Sequence, residues 1–101
     1  MTKEKIERSE AILRKKRNTR KGLKVRNKIL IFLNNHPNDS FTISNISDEV
    51  AYTYPTVYYH LNSMMEENIV TKNVVNRISY WKITGYGQQT IKNWLKNNNK
   101  I

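Results

Sequence analysis

Thr53, Tyr54, Thr56, Tyr58, Tyr59 and Asn62 crowd hydroxyls, aromatic rings and one carboxamide into a single short stretch. A carboxamide can donate to and accept from the major-groove edge of adenine at the same time. Threonine and tyrosine hydroxyls more often take phosphate oxygens, which fixes register without reading sequence. The rest of the chain suits such a partner. Its 101 residues carry 18 Lys and Arg against 8 Asp and Glu, a net charge of +10. That balance predicts a polyanionic partner, and nucleic acid is the commonest. An anionic membrane surface is the competitor, but no apolar run approaches the roughly 20 residues a spanning helix needs.

Other chemistries have little to work with. The chain has no cysteine, hence no disulfide, thiolate zinc site or cysteine nucleophile. Its two histidines, His36 and His60, lie far apart in sequence, and a metal site usually takes three or four ligands. His36 reads as a solvated loop residue and His60 as a partly buried structural one. No phosphate-binding glycine loop, nucleophile elbow or HExxH pattern is present. Asp48–Glu49 and Glu66–Glu67 are sequence neighbours, so each pair splays over a solvated helix surface instead of converging on a substrate. We therefore expect no enzyme activity, no cofactor and no metal. The opening residues Met1 to Lys5 are mixed in charge and no apolar core follows them, which argues against a signal peptide and for a cytoplasmic protein.

The elements that position the hydroxyl-rich stretch follow from spacing. Val57, Leu61 and Met64 recur at helical intervals, so one side of a helix over about 54–67 is anchored. The polar candidates lie mostly off that stripe. Thr53 is placed to cap the helix start with its hydroxyl. Pro55 is tolerated in the first turn, and Asn68 can take the left-handed conformation that ends a helix. The alternative is an ordinary tyrosine-rich surface helix, its rings packed on neighbouring elements.

Residues 1–22 form a charged segment in which Glu4, Glu7 and Glu10 precede Arg14, Lys15, Lys16, Arg17, Arg20 and Lys21. It reads either as a weak helix that folds against a partner or as a disordered basic arm, with Gly22 as a break. From Leu23 to about Asn35, Leu23, Ile29, Leu30, Phe32 and Leu33 make a helical apolar face, with Lys24, Arg26 and Lys28 on the basic remainder. The run from Asn34 to Asp39 is turn chemistry. Ser40 to Thr42 reads as a very short strand. Ile43, Ile46 and Val50 then step through a second helix, with Ser44 as candidate N-cap. Residues 51–53 make a tight turn into the helix described first. Residues 69–75 and 78–83 read as a hairpin with Asn76 and Arg77 at its tip. A last helix from about Tyr86 to Lys96 carries Ile91, Trp94 and Leu95 on one side, and residues 98–101 read as a frayed tail.

This order makes a mainly α fold with a small β-hairpin, an α+β arrangement with one compact domain over 23–97. Two stretches resemble the ArsR/MarR-type group of prokaryotic, often archaeal, transcriptional regulators. Tyr54-Pro55-Thr56-Val57-Tyr58-Tyr59-His60-Leu61, leaving through Asn68-Ile69-Val70, is similar to the start of their recognition helix and its exit into the wing. Tyr80-Trp81-Lys82-Ile83-Thr84-Gly85-Tyr86-Gly87 is similar to the end of their wing. The resemblance covers about residues 23–97 and implies a winged helix-turn-helix that binds double-stranded DNA as a transcriptional regulator. The metal-sensing thiolates of the ArsR group are absent, so metal sensing is not implied.

On that reading the recognition-helix contacts are Thr53, Tyr54, Thr56, Tyr58, Tyr59 and Asn62. Lys72, Asn76 and Arg77 form the wing contacts, on backbone or in a minor groove. Arg14, Lys15, Lys16, Arg17, Arg20 and Lys21 add phosphate neutralisation. A homodimer is expected through the leader and the last helix, with Ile12, Leu13, Ile91, Trp94 and Leu95 as the surface. Two other functions are open: a sequence-tolerant architectural or replication-associated DNA binder that uses the same surfaces, and an adaptor whose winged helix docks another protein while the basic leader tethers it to nucleic acid or an anionic membrane. Operator, regulated genes and any small effector are not written in these residues.

Overall fold

The structure, a computed structural model, describes residues 20–98. The elements run α1 (Arg20–Asn35), α2 (Ile43–Val50), α3 (Tyr54–Glu66), β1 (Val70–Val75), β2 (Ile78–Ile83) and α4 (Gly85–Asn98). The arm before Arg20 and the tail beyond Asn98 lie outside the described residues.

In α1, Leu23, Val25, Ile29, Leu30 and Leu33 are buried as the spacing requires. Two expectations change here. Gly22 does not break the chain, because the helix is already formed at Arg20 and passes through it. A helical glycine costs about 1 kcal/mol relative to alanine, which burial of the adjoining apolar turn can offset. Arg26 does not belong to the basic exposed face: it is fully buried. Positions 23, 26, 30 and 33 follow one another at three- and four-residue steps, so Arg26 occupies a core position of the stripe.

α2 is capped by Thr42, not Ser44. The Asn45 amide donates to Thr42 Oγ1 at 3.2 Å, and the Thr42 amide donates to Asn45 Oδ1 at 3.4 Å. This reciprocal box satisfies two donors that the helix start leaves orphaned. Ile43, Ile46 and Val50 face inward. The helix stops because Ala51 turns left-handed, with φ of 61°, while its amide bonds the Ser47 carbonyl at 2.9 Å. Ser47 Oγ in turn donates to the Tyr52 carbonyl, which fixes the turn between α2 and α3.

The expected short strand at 40–42 is a single bridge. Phe41 and Trp81 exchange both backbone hydrogen bonds, at 2.9 and 2.7 Å. The strands β1 and β2 pair antiparallel in register from Val70↔Ile83 to Val75↔Ile78. Val70, Trp81 and Ile83 root the hairpin in the core, and everything beyond them on β1 is exposed. Thr84 joins the hairpin to α4. Its hydroxyl donates to the Asn68 carbonyl at 2.7 Å and accepts from the Gly87 amide at 2.9 Å. A side chain at Gly87 would collide with the Ile69 carbonyl oxygen, so the close approach of α4 to the hairpin root requires glycine.

One core joins these pieces. Leu30, Leu33, Ile46, Val57, Leu61, Met64, Trp81 and Ile91 are fully or almost fully excluded from solvent. Ile91 therefore points into its own chain. It is not available as a dimer contact, whereas Leu95, in the next turn, is exposed.

Candidate nucleic-acid interface

The α3 helix is held from beneath and bare above. Val57, His60, Leu61 and Met64 are its buried residues. At 100° per residue their directions centre on one side. The opposite arc falls to Pro55, Tyr58, Tyr59 and Asn62, with Tyr54 and Thr56 on its flanks. The exposures agree: Tyr54, Tyr58 and Tyr59 are 53%, 52% and 66% accessible, large values for aromatic rings. Thr53 is exposed, while Thr56 and Asn62 are half-buried.

Three of the polar groups have local partners. Thr53 is the N-cap residue, as its position implied, but its hydroxyl makes no capping bond to the backbone. It instead bonds the Thr56 hydroxyl at 3.0 Å, which ties two candidate contacts together at the helix start. Asn62 Nδ2 donates to the Tyr58 carbonyl one turn back, at 2.9 Å. That bond lies along the helix, and reading an adenine edge requires the carboxamide to rotate away from it.

Beneath α3 lies a polar anchor that the charge pattern concealed. Arg26 Nη2 donates to Ser63 Oγ and to Glu67 Oε2, the latter at 3.4 Å. Glu67 is thus paired with the core cation, not merely solvated, and the α1–α3 packing includes an ion pair. Burial pushes the Arg26 guanidinium below its ordinary range, and Glu67 opposes the shift through charge and hydrogen bonding. Burial also lowers His60 from its ordinary 6.5, and the neighbouring Arg26 charge adds to the effect. His60 is therefore a buried, neutral structural residue, its ring edge-on to Tyr59 at 5.1 Å. The signal for Arg26 was its register in the Leu23–Leu30–Leu33 stripe.

The wing presents a different surface. Asn76 and Arg77 have φ of 51° and 68°, the two consecutive left-handed residues of a type I′ turn. Both side chains are exposed at the tip. Val74, Val75 and Ile78 beside them are also exposed. Lys72 faces Trp81 across the strands, and its ammonium lies over the indole ring, 5.5 Å from the centroid. Of the leader, Arg14, Lys15, Lys16 and Arg17, with Ile12 and Leu13, lie outside the described residues. Arg20 and Lys21 are placed only as the backbone of the first turn of α1.

Most of α1, the pair α2 and α3 with its turn, and the start of β1 coincide with a sequence family. Residues 24–72 match the family described as bacterial regulatory protein, arsR family. The whole described fold matches solved winged regulators. A DNA complex of MepR from Staphylococcus aureus superposes with a TM-score of 0.68 at 19% identity, covering 75% of this chain and 64% of that one. YusO from Bacillus subtilis gives a TM-score of 0.66 at 16% identity, covering 72% and 52%. A MarR-family regulator from Silicibacter pomeroyi gives 0.65 at 16%, covering 72% and 49%.

This chain is a winged helix-turn-helix protein. In those terms α2 and α3 are the helix-turn-helix and the β1–β2 hairpin is the wing. The chain spans between about half and two thirds of the length of these structures. No curated protein sequence matches it. No helix among the described residues is long and apolar enough to cross a membrane.

Proposed function

We propose that this winged helix is a sequence-specific regulator of transcription that binds double-stranded DNA. The observation that carries the reading is the two-sided α3: one face is sealed by Val57, Leu61 and Met64, and the other leaves Tyr58 and Tyr59 open to an outside partner, with half-buried Asn62 beside them. An α-helix of this width fits the major groove, where base edges differ. The wing then meets backbone or minor groove through Arg77 and Asn76, and Lys72 is the third wing contact. The leader cations Arg14, Lys15, Lys16, Arg17, Arg20 and Lys21 neutralise further phosphates. Net charge +10 supports this sign of partner.

The protein acts in the cytoplasm as a homodimer, through the leader with Ile12 and Leu13 and through the outer side of α4 with Leu95 and the exposed part of Trp94. Ile91 is excluded by its burial. A twofold protein calls for two half-sites about one helical turn apart.

The test is selection from random duplex DNA followed by titration against salt. A palindromic site bound at least about 1,000-fold more tightly than bulk DNA is the expected result. Replacing Tyr58, Tyr59 and Asn62 together by alanine should abolish that preference. Uniform binding to all duplexes would make the protein architectural instead, and no duplex binding would remove the DNA reading altogether.

A further inference from the structure

A concavity lies outside α3 and the wing. Phe32 and His36 at the end of α1, Phe41 at the bridge, and Asn45, Asp48 and Glu49 on α2 line an open cleft of about 640 Å³. Its volume is within the range of small-molecule sites. Three rings form one wall. Phe32 and Phe41 stand 4.8 Å apart, Phe32 and His36 5.3 Å, and His36 and Phe41 5.8 Å with an edge-on geometry. Asn45 is held by the α2 capping box, so that wall is fixed. The rim carries Asp48 and Glu49, both exposed and neither in an ion pair among the described residues; although neighbours in sequence, both border the same cleft, so the expectation that this pair only splays over solvent changes here.

The charge of this cleft is opposite to that of the chain. No lysine or arginine lines it, although the chain has 18. Two carboxylates beside three aromatic rings suit a cation with an apolar body. The rings attract it through their negative faces, and the carboxylates neutralise it. A neutral ligand would cover the carboxylates without compensating their lost hydration. An anion would be repelled.

We propose that the cleft binds a small organic cation, an aromatic or alkylated ammonium. Its charge sits at Asp48 and Glu49, and its apolar body packs on Phe32, His36 and Phe41. Occupancy has a route to the wing, because Phe41 exchanges two backbone hydrogen bonds with Trp81 of β2. The assignment goes beyond DNA binding and does not rest on it.

The experiment titrates the full chain, without DNA, with meta-hydroxyphenyltrimethylammonium and with its uncharged isostere meta-tert-butylphenol. Amide chemical shifts are followed throughout. Saturable one-to-one binding of the cation is expected, about tenfold or more tighter than the isostere. Shifts should cluster at Phe41, Asp48 and Glu49 and extend to Trp81. The double variant Asp48→Asn, Glu49→Gln should lose the preference while unfolding at the same temperature, since both side chains are on the outer side of α2. Phe32→Leu should weaken both probes, and the cation more than the isostere, which has no charge for the ring to attract. Absence of saturable binding, equal affinity for the two probes, shifts confined to other surfaces, or a double variant that keeps the preference would each overturn the assignment.

Discussion

Arg77 offers the sharpest separation of stability from recognition. It sits at φ 68° in the second position of a two-residue hairpin loop, where type I′ geometry favours glycine. Asn76 tolerates its own left-handed angle through its short polar side chain. Arg77 has no such help, and an L-residue with a bulky side chain pays roughly 1–2 kcal/mol there. Arg77→Gly relieves that strain but gives the unfolded chain more freedom, about 0.5–1 kcal/mol. The difference is about 0–1.5 kcal/mol in favour of glycine, and a gain of about 1 kcal/mol corresponds to a melting temperature higher by about 4–8 °C in a domain of this size. The same change deletes the cation at the wing tip. Removing one phosphate contact makes the log–log salt slope shallower by about 0.9, and affinity should drop about tenfold at moderate salt. Thermal melts and fluorescence-anisotropy titrations at several salt concentrations measure both. Arg77→Asn serves as a control that keeps a left-handed-tolerant residue without charge. A lower melting temperature would refute the strain argument. Unchanged affinity and slope in the glycine variant would remove Arg77 from the interface.

Three further outcomes follow from the anchor and the wing root. Glu67→Ala leaves the buried Arg26 cation without its carboxylate and should cost about 2 kcal/mol, below the usual range for buried pairs because Glu67 is 24% exposed; Arg26→Met, which removes the charge itself, should be much milder in the same urea titration. His60 is held below 6.5 in the folded state, so the unfolded chain takes up the proton more readily as pH falls through 6.5. Its contribution to stability is therefore complete above that value and lost below it, and His60→Gln should flatten the difference between urea midpoints at about pH 7.5 and about pH 5.5. Gly87→Ala brings a methyl against the Ile69 carbonyl oxygen and within 2.8 Å of Ile83 Cγ1; calorimetry should find a loss of about 1–3 kcal/mol, and a variant that melts like the parent would show that α4 can move off the wing.

Periodicity alone was enough to find α3, because Val57, Leu61 and Met64 repeat every three or four residues and only a helix brings them to one side. The hairpin was equally legible, since β-branched runs flanking Asn76 and Arg77 have few other ways to fold. Left-handed Asn68 and the Thr84–Gly87 junction were local signals of the same kind. Burial of charge was not legible from residue type. Arg26 is a basic residue among basic residues, and solvation ordinarily places such a side chain outside. Only the packing of α3 against α1 supplied Ser63 and Glu67 to receive it.

The caps and surfaces divide along the same line. Ser44 and Thr42 are both hydroxyl residues at the start of α2, and the backbone had to be in place before Asn45 could close the box on Thr42. Ile91 and Leu95 lie one turn apart on the same side of α4, yet the core reaches the first and leaves the second exposed. The cleft is the extreme case, since Phe32, Phe41 and Asp48 share no element and meet only when α1, the bridge and α2 pack together. Sequence determined which helices and strands form, because that choice depends on neighbours a few residues away. Tertiary structure decided which charges are buried, which apolar side chains remain exposed and which distant rings share a wall, because those depend on contacts that no local pattern encodes.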